Sequence, residues 1–211
     1  MKAATSVRLG RFFRTALTRS PAWLLRRVFL RSMFRKVSSS GVEILTLNEM
    51  GRSDTVEQLR AALALIAERL PGAHARIRSG LRRIVVLPAG GPEFWEYPRA
   101  MVISHSYVDA APVEYLAMVI LHECTHARLW DLGFPYHPGV RPRIERICVN
   151  AGLRLAATLP AAEVLSNFAL ASLEDPWWTK AKLAARRRRE LTGWGAPAWV
   201  MPAYDWVFLR S

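Results

Sequence analysis

The chain has 211 residues, of which 51% are hydrophobic, and this length supports one sizeable hydrophobic core but hardly two. Its formal net charge is +13, yet residues 1–36 alone contain ten Lys or Arg and no acidic residue, which leaves +3 for the rest. Two cysteines exclude a disulfide framework, and no apolar run reaches the roughly 18 residues of a membrane-spanning helix.

Residues 1–36 predict a basic amphipathic arm, divided at Ser20-Pro21, with apolar residues such as Phe12 and Phe29 opposite arginines. This pattern suits adsorption to an anionic membrane surface, an Arg-rich organellar transit peptide, or helices packed on the domain that follows. Nucleic acid ranks lower as a partner, because phosphate binding does not explain the phenylalanines and leucines. Arginines interrupt every apolar run, which does not fit a secretory signal. We therefore expect a cytoplasmic protein, with membrane association as one alternative.

The elements that follow the arm predict one main domain. Residues 37–41 have the composition of a linker, so we place the arm and linker at 1–40 and the domain at 41–175. Residues 176–211 predict a basic helix at 180–191 and a Trp-rich tail packed on the domain. Within the domain, we predict strands at 42–47, 83–87 and 99–105, and helices at 54–70, 112–130, 141–159 and 161–173.

The helix predicted at 112–130 carries the sequence His122-Glu123-Cys124-Thr125-His126 in its last two turns. Residues i and i+4 share one face of a helix, so both imidazoles can reach one Zn²⁺ while Glu123 contacts the water on the metal. The alternative is a pair of hydrogen-bonded core histidines beside a solvated glutamate.

A catalytic zinc usually has three protein ligands, and the chain offers Glu145 and His137 as candidates for the third. On the helix predicted at 141–159, Glu145 lies away from the arginine stripe, on the same side as Gly152. A glycine there allows a second helix to approach closely, which favours Glu145. An ion pair with a neighbouring arginine is the alternative role of this carboxylate.

Two histidines, 18 further residues and a glutamate on the next helix resemble the gluzincin class of zinc metallopeptidases, over about residues 80–160. The resemblance implies a zincin-like α+β fold, in which a small mixed sheet packs on the active-site helix and on the helix of the third ligand. It also implies His122, His126 and Glu145 as zinc ligands and Glu123 as general base. The strand at 99–105 would be the sheet edge that pairs with an extended peptide substrate.

The chain departs from that family at the group that stabilises the oxyanion. Gluzincins supply a His or Tyr downstream of the third ligand, where this sequence offers only Tyr204. Tyr136, His137 and His105 are the other options.

His137 also belongs to a second resemblance. Residues 122–130 (HECTHARLW) followed by His137-Pro138-Gly139 are similar to Spartan-like metallopeptidases, whose third ligand is a histidine and which cut proteins on DNA. The phenylalanine expected shortly after their His-Gly is absent here.

The sequence thus predicts a zinc metallopeptidase that hydrolyses peptide bonds in a peptide or protein substrate. A non-catalytic zinc-binding adaptor, acting through its basic arm at a membrane or partner surface, is the alternative. If the two helices meet at the metal, Cys124 and Cys148 lie close to it, where ligation or oxidation would inhibit.

Overall fold

The computed structural model describes residues 34–47, 53–87, 90–96, 99–134 and 139–174, and single helical positions at 182, 185, 188, 189 and 192. Five strands in these residues form one mixed sheet in the order β1-β2-β3-β5-β4. Strands β2, β3 and β5 are parallel, and β4 pairs with β5 in the antiparallel direction. The strands are β1 (Phe34–Ser39), β2 (Val42–Leu47), β3 (Arg83–Leu87), β4 (Glu93–Trp95) and β5 (Ala100–Ser104).

Between residues 34 and 174 the structure describes six helices beside the sheet, so the fold is of the mixed α+β class, as predicted. The four helices that the sequence predicted in the domain are confirmed to within three residues at each end. A further helix, which was not predicted from the sequence, begins at Pro71, because proline is favourable in the first turn of a helix. The helices are α1 (Ser53–Arg69), α2 (Pro71–Gly80), α3 (His105–Ala110), α4 (Val113–Asp131), α5 (Arg141–Ala156) and α6 (Ala162–Glu174).

The linker predicted at residues 37–41 is instead the end of β1 and a tight turn into β2. Ser40 and Gly41 both have positive φ, 51° and 82°, which is the conformation of the two-residue turns that join hairpin strands. Ser40 and Gly41 form the turn between two paired strands, so the prediction of a linker from the serine and glycine content was wrong.

The expectation that the strand at 99–105 is a sheet edge is wrong. β5 lies between β3 and β4, and β4 occupies that end of the described sheet. β5 also ends before His105, because the Ser104 hydroxyl accepts a hydrogen bond of 3.3 Å from the Tyr107 N–H and begins α3.

The core fills the space between one face of the sheet and the helices. Ile44, Ile84 and Ile103 belong to a buried cluster that includes apolar residues of α1 and α4. Helix α4 is buried nearly all round between Leu116 and Leu121, as its sequence predicted. It packs most extensively on α5 and on α1, so the motif helix lies at the centre of the domain.

The opposite face of the sheet is also buried. Leu45, Val85 and Val102 pair in register across the three parallel strands and are 6%, 0% and 1% exposed. The described elements fall in one compact unit, residues 35–196, with Phe34 at its boundary. Among the described helices, none combines the length and apolar character needed to cross a membrane.

Some sequence predictions lie outside the described residues. These are the arm up to residue 33 and the tail from residue 193 onward. Helical backbone is described at residues 182, 185, 188 and 189, within the basic helix predicted at 180–191.

Candidate metal centre

Helix α4 presents His122 and His126 on one face, as the i,i+4 spacing predicted. Their Nε2 atoms are 3.1 Å apart, and their side chains are 16% and 12% exposed. The helix continues for about one more turn to Asp131, and the φ of 82° at Gly133, two residues later, allows the chain to turn away. Both histidines therefore precede the last turn of the helix, where the regular backbone fixes the position of one imidazole relative to the other.

Helix α5 brings Glu145 to the two histidines. Oε2 of Glu145 lies 3.2 Å from Nε2 of His122 and 3.6 Å from Nε2 of His126, and the glutamate side chain is 2% exposed. The helices approach closely at Gly152, where a Cβ would lie 3.5 Å from both Cβ and the carbonyl oxygen of Met118. The glycine on the Glu145 side thus lies at the helix contact, as expected.

The separations between these three atoms fit a zinc ion. Three ligands about 2.0–2.1 Å from one ion at tetrahedral angles lie about 3.3–3.5 Å from one another. The distances among Nε2 of His122, Nε2 of His126 and Oε2 of Glu145 are 3.1, 3.2 and 3.6 Å. Two imidazoles and one carboxylate are also a donor set that catalytic zinc sites use.

Hydrogen bonds alone satisfy this triangle poorly. The carboxylate of Glu145 only accepts while it is ionised, and each Nε2 supplies at most one hydrogen. If both histidines donate to Glu145, the 3.1 Å contact between His122 and His126 joins two donors. If one histidine donates to the other, one contact with the carboxylate lacks a hydrogen. A cation at the centre contacts all three atoms favourably.

The electrostatics of Glu145 also favour a positively charged neighbour. Burial by itself would raise the pKa of this carboxyl, but hydrogen bonds and positive charge from His122 and His126 outweigh it and lower the pKa. A carboxylate with 2% exposure therefore stays ionised only because of the groups that face it. A metal ion would act on Glu145 in the same direction.

Glu123 is buried beside the histidines and is not the solvated residue of the alternative interpretation. It is 3% exposed, and burial raises its pKa to about 8, opposed by the charge of His122. Its carboxylate accepts a hydrogen bond from the backbone N–H of Phe94 on β4. The strand at the end of the sheet therefore holds the side chain in place.

Cys148 joins the same cluster, in agreement with the expectation that this thiol lies close to the site if the two helices meet. The ligand atoms of His122, His126 and Cys148 all lie within 4.8 Å of one another, so these residues form a group that could hold a metal ion. Burial raises the pKa of the Cys148 thiol, and the negative charges of Glu145 and Glu123 raise it further. Cys148 follows Glu145 by three residues on α5, so the same approach of the two helices brings both side chains to the histidines.

Cys124 lies elsewhere, although it is inside the motif. Its Sγ faces α2, 4.0 Å from the position of a Cβ built on Gly80. Burial raises the pKa of its thiol to about 12. The expectation that both thiols lie close to the metal thus agrees with the structure for Cys148, whereas Cys124 points towards another helix.

A cleft opens beside the cluster. It encloses about 460 Å³ of empty space, including its mouth, and His122, Glu123 and Cys148 line one part of it. The remaining wall is largely apolar or aromatic and includes Tyr107, Tyr115, Met118, Val119, Val149 and Ala169.

Of the other predicted site residues, the structure describes His105, which is not in this cluster. His105 contacts Asp109 at 2.9 Å and Thr55 at 3.1 Å, and Thr55 donates to Asp109 at 3.0 Å. This polar group joins α3 to α1. His137, Tyr136 and Tyr204, proposed as ligand or oxyanion donors, lie outside the described residues.

None of the protein-family models, curated proteins or solved structures compared with the chain matches it. Arguments about function therefore depend on the site itself: the convergence of His122, His126, Glu145 and Cys148, the buried Glu123 and the adjoining cleft.

Proposed function

We propose that this protein is a zinc-dependent metallopeptidase. The observation that carries the proposal is the convergence of Nε2 of His122, Nε2 of His126 and Oε2 of Glu145 to within 3.1–3.6 Å of one another. These three residues would hold the ion. When bound there, zinc supplies Lewis-acid polarisation of the scissile carbonyl and makes water a better nucleophile.

Glu123 is the proton acceptor in this proposal. Its carboxyl follows directly after the ligand His122, is buried, and lines the cleft in which a substrate would lie. A cation held by the neighbouring ligands would lower the pKa of Glu123 from its value of about 8 and keep the side chain a carboxylate that can accept a proton. The hydrogen bond from the Phe94 N–H orients that carboxylate. A general base must be held within hydrogen-bond reach of the proton that it takes, and burial plus this bond provide that.

The surroundings of the site favour an extended peptide as substrate. β4 is at one end of the described sheet, and Phe94 in it contacts Glu123. A peptide laid along β4 by β-addition would pass the proton acceptor. The largely apolar wall beside it, which includes Tyr107 and Tyr115, would accept a side chain of that peptide.

Hydrolysis of a diverse peptide library by the purified full-length protein tests the proposal. We expect cleavage that a zinc chelator abolishes and that added Zn²⁺ restores. Cleavage that persists after complete removal of the metal would contradict it.

A second candidate function is a zinc-binding adaptor without catalysis. The specific observation in its favour is Cys148, a fourth side chain close enough to the histidines to belong to a metal site. Structural zinc sites are closed by four protein ligands. A protein that holds zinc and cleaves no peptide of the library would favour the adaptor.

A further inference from the structure

Cys148 is the one sulfur that the described residues place with both histidines of the motif. It follows Glu145 by three residues on α5, so both side chains project from the same face of that helix. It is completely buried and lines the cleft together with His122 and Glu123. The peptidase proposal gives this thiol no role.

We propose that Cys148 is the fourth protein ligand of the resting metal centre and occupies the position that water needs for hydrolysis. This inference rests on the proposed zinc site, and it concerns regulation of that site. As the bond between zinc and sulfur forms, the thiol releases its proton to solvent, and when a water displaces the sulfur before hydrolysis the thiol takes a proton back. The sulfur therefore slows peptide cleavage by the full-length protein without abolishing it.

Distance supports the ligation. In a tetrahedral zinc centre a sulfur at about 2.3 Å and a nitrogen at about 2.0 Å from the ion lie about 3.5 Å apart. The ring nitrogens of His122 and His126 and the Cys148 sulfur are already within 4.8 Å of one another. A displacement of the sulfur by about 1 Å completes the centre, and rotation about the Cα–Cβ bond supplies a movement of that size.

Charge and ligand type support it as well. Zinc accepts thiolate together with imidazole and carboxylate ligands. Glu145 and a Cys148 thiolate together carry two negative charges, which balance a divalent ion in a site where Glu145 is 2% and Cys148 0% exposed. With a water in place of the sulfur, the ion and its protein ligands would keep a net positive charge. That charge would help to polarise a substrate carbonyl, but it is costly to bury when no substrate is bound.

Cys124 provides a matched control for this proposal. It is also a free, buried cysteine of the same domain, and it is closer in sequence to the histidines than Cys148. Its sulfur faces Gly80 on α2 rather than the cleft. Replacing Cys124 therefore removes a buried thiol without removing the proposed ligand.

Replacement of the metal by Co²⁺ tests the inference, because a cobalt–thiolate bond gives a charge-transfer absorption band in the near ultraviolet. We expect the full-length protein to bind one Co²⁺ and show this band, Cys124→Ala to keep it, and Cys148→Ala to bind Co²⁺ and lose it. Cys148→Ser preserves the side-chain size if the alanine variant does not fold. X-ray absorption at the zinc edge of the unmodified protein should show one sulfur at about 2.3 Å.

The outcomes separate this inference from the peptidase proposal. Stoichiometric Co²⁺ without the band, or without sulfur at the zinc edge, overturns the role of Cys148 and leaves the metal centre standing. A band that Cys124→Ala removes also overturns it. Failure of the unmodified protein to bind Co²⁺ or Zn²⁺ overturns both proposals.

Discussion

Glu145 places Oε2 3.2 Å from Nε2 of His122, although the two residues lie 23 positions apart on different helices. The carboxylate is buried on the apolar side of α5, away from the stripe of Arg143, Arg146 and Arg154, and its near neighbours include the imidazoles of α4. A buried carboxylate needs a neighbouring positive charge to offset its loss of hydration. Because His126 lies beside the same carboxylate, one cation bound by all three side chains is the simplest source of that charge.

The first prediction concerns the ligands. Glu145→Gln and His122→Ala should each lower zinc affinity by about tenfold to a hundredfold or more, because each removes a donor atom from the metal centre. Elemental analysis after dialysis against a chelator measures the loss. Glu114→Gln, at an exposed position of the same helix α4, is the matched control and should keep its zinc. Stoichiometric zinc in both ligand variants would contradict the assignment.

The second prediction separates ligand from base. Glu123→Gln should retain zinc and lower kcat/KM for peptide hydrolysis by about 10²–10⁴-fold, because the amide keeps the shape of the side chain but cannot take a proton. The comparison is made on a peptide that the unmodified protein cleaves, with metal content measured on the same samples. Unchanged turnover at full zinc occupancy would mean that another residue is the base.

The third prediction concerns the contact between α4 and α5. A Cβ on Gly152 would meet Met118 at 3.5 Å, an ordinary van der Waals distance. Gly152→Ala should therefore be accommodated and raise the free energy of unfolding by about 0.5–1 kcal/mol through its helix propensity. Gly152→Leu should force the helices apart, lower stability and weaken zinc binding, as measured by thermal unfolding and metal analysis.

Gly72→Leu is the control for the larger side chain, because a Cβ at that exposed helix position meets nothing closer than 3.9 Å. It should leave zinc binding unchanged. If Gly152→Leu binds zinc as tightly as the unmodified protein, the close approach of the helices is not needed for the site.

The fourth prediction concerns the polar group of Thr55, His105 and Asp109. Thr55 is fully buried and donates to Asp109 at 3.0 Å, so Thr55→Val leaves that acceptor without its buried donor at nearly constant volume. Because the Asp109 side chain is 37% exposed and water can replace the lost donor, we expect a loss of about 0.5–1.5 kcal/mol in the free energy of unfolding, with zinc binding intact. Denaturant titration measures the change, and Ser79→Ala at an exposed position should cost less than about 0.5 kcal/mol. Loss of zinc in Thr55→Val would place this group in the metal centre.

The fifth prediction concerns the basic arm, which we propose binds anionic membranes. Residues 1–33 carry eight positive charges, each of which would contribute about 1 kcal/mol near such a surface, and salt would screen them. Co-sedimentation with anionic vesicles should be strong at low ionic strength, fall steeply with salt, and be absent with neutral vesicles. Deletion of residues 1–33 should abolish it. Equal co-sedimentation of the truncated protein, or its insolubility, would instead make the arm part of the folded domain.

The sequence by itself determined the local features. The boundaries of α4 and α5 follow from apolar periodicity, Pro142 and Gly133, and the positions of His122 and His126 on one face follow from helix geometry alone. The inward side of Glu145 could also be predicted, because the arginines of α5 define the outward side.

Only the tertiary structure decided which elements meet. The order of the sheet depends on the pairing of β3 with β5, two strands that β4 separates along the chain. This pairing places β4, and not β5, at the end of the described sheet. The hairpin at Ser40-Gly41 was not predicted either, because serine and glycine suit a tight turn as well as a linker. The approach of α5 to α4 at Gly152 and Met118 fixes the distance from Glu145 to the histidines, and the same approach brings Cys148 to them. The periodicity of a sequence predicts the face of a helix on which a side chain lies. Which residues that side chain contacts depends on the packing of segments that are distant in the sequence, here α4 and α5.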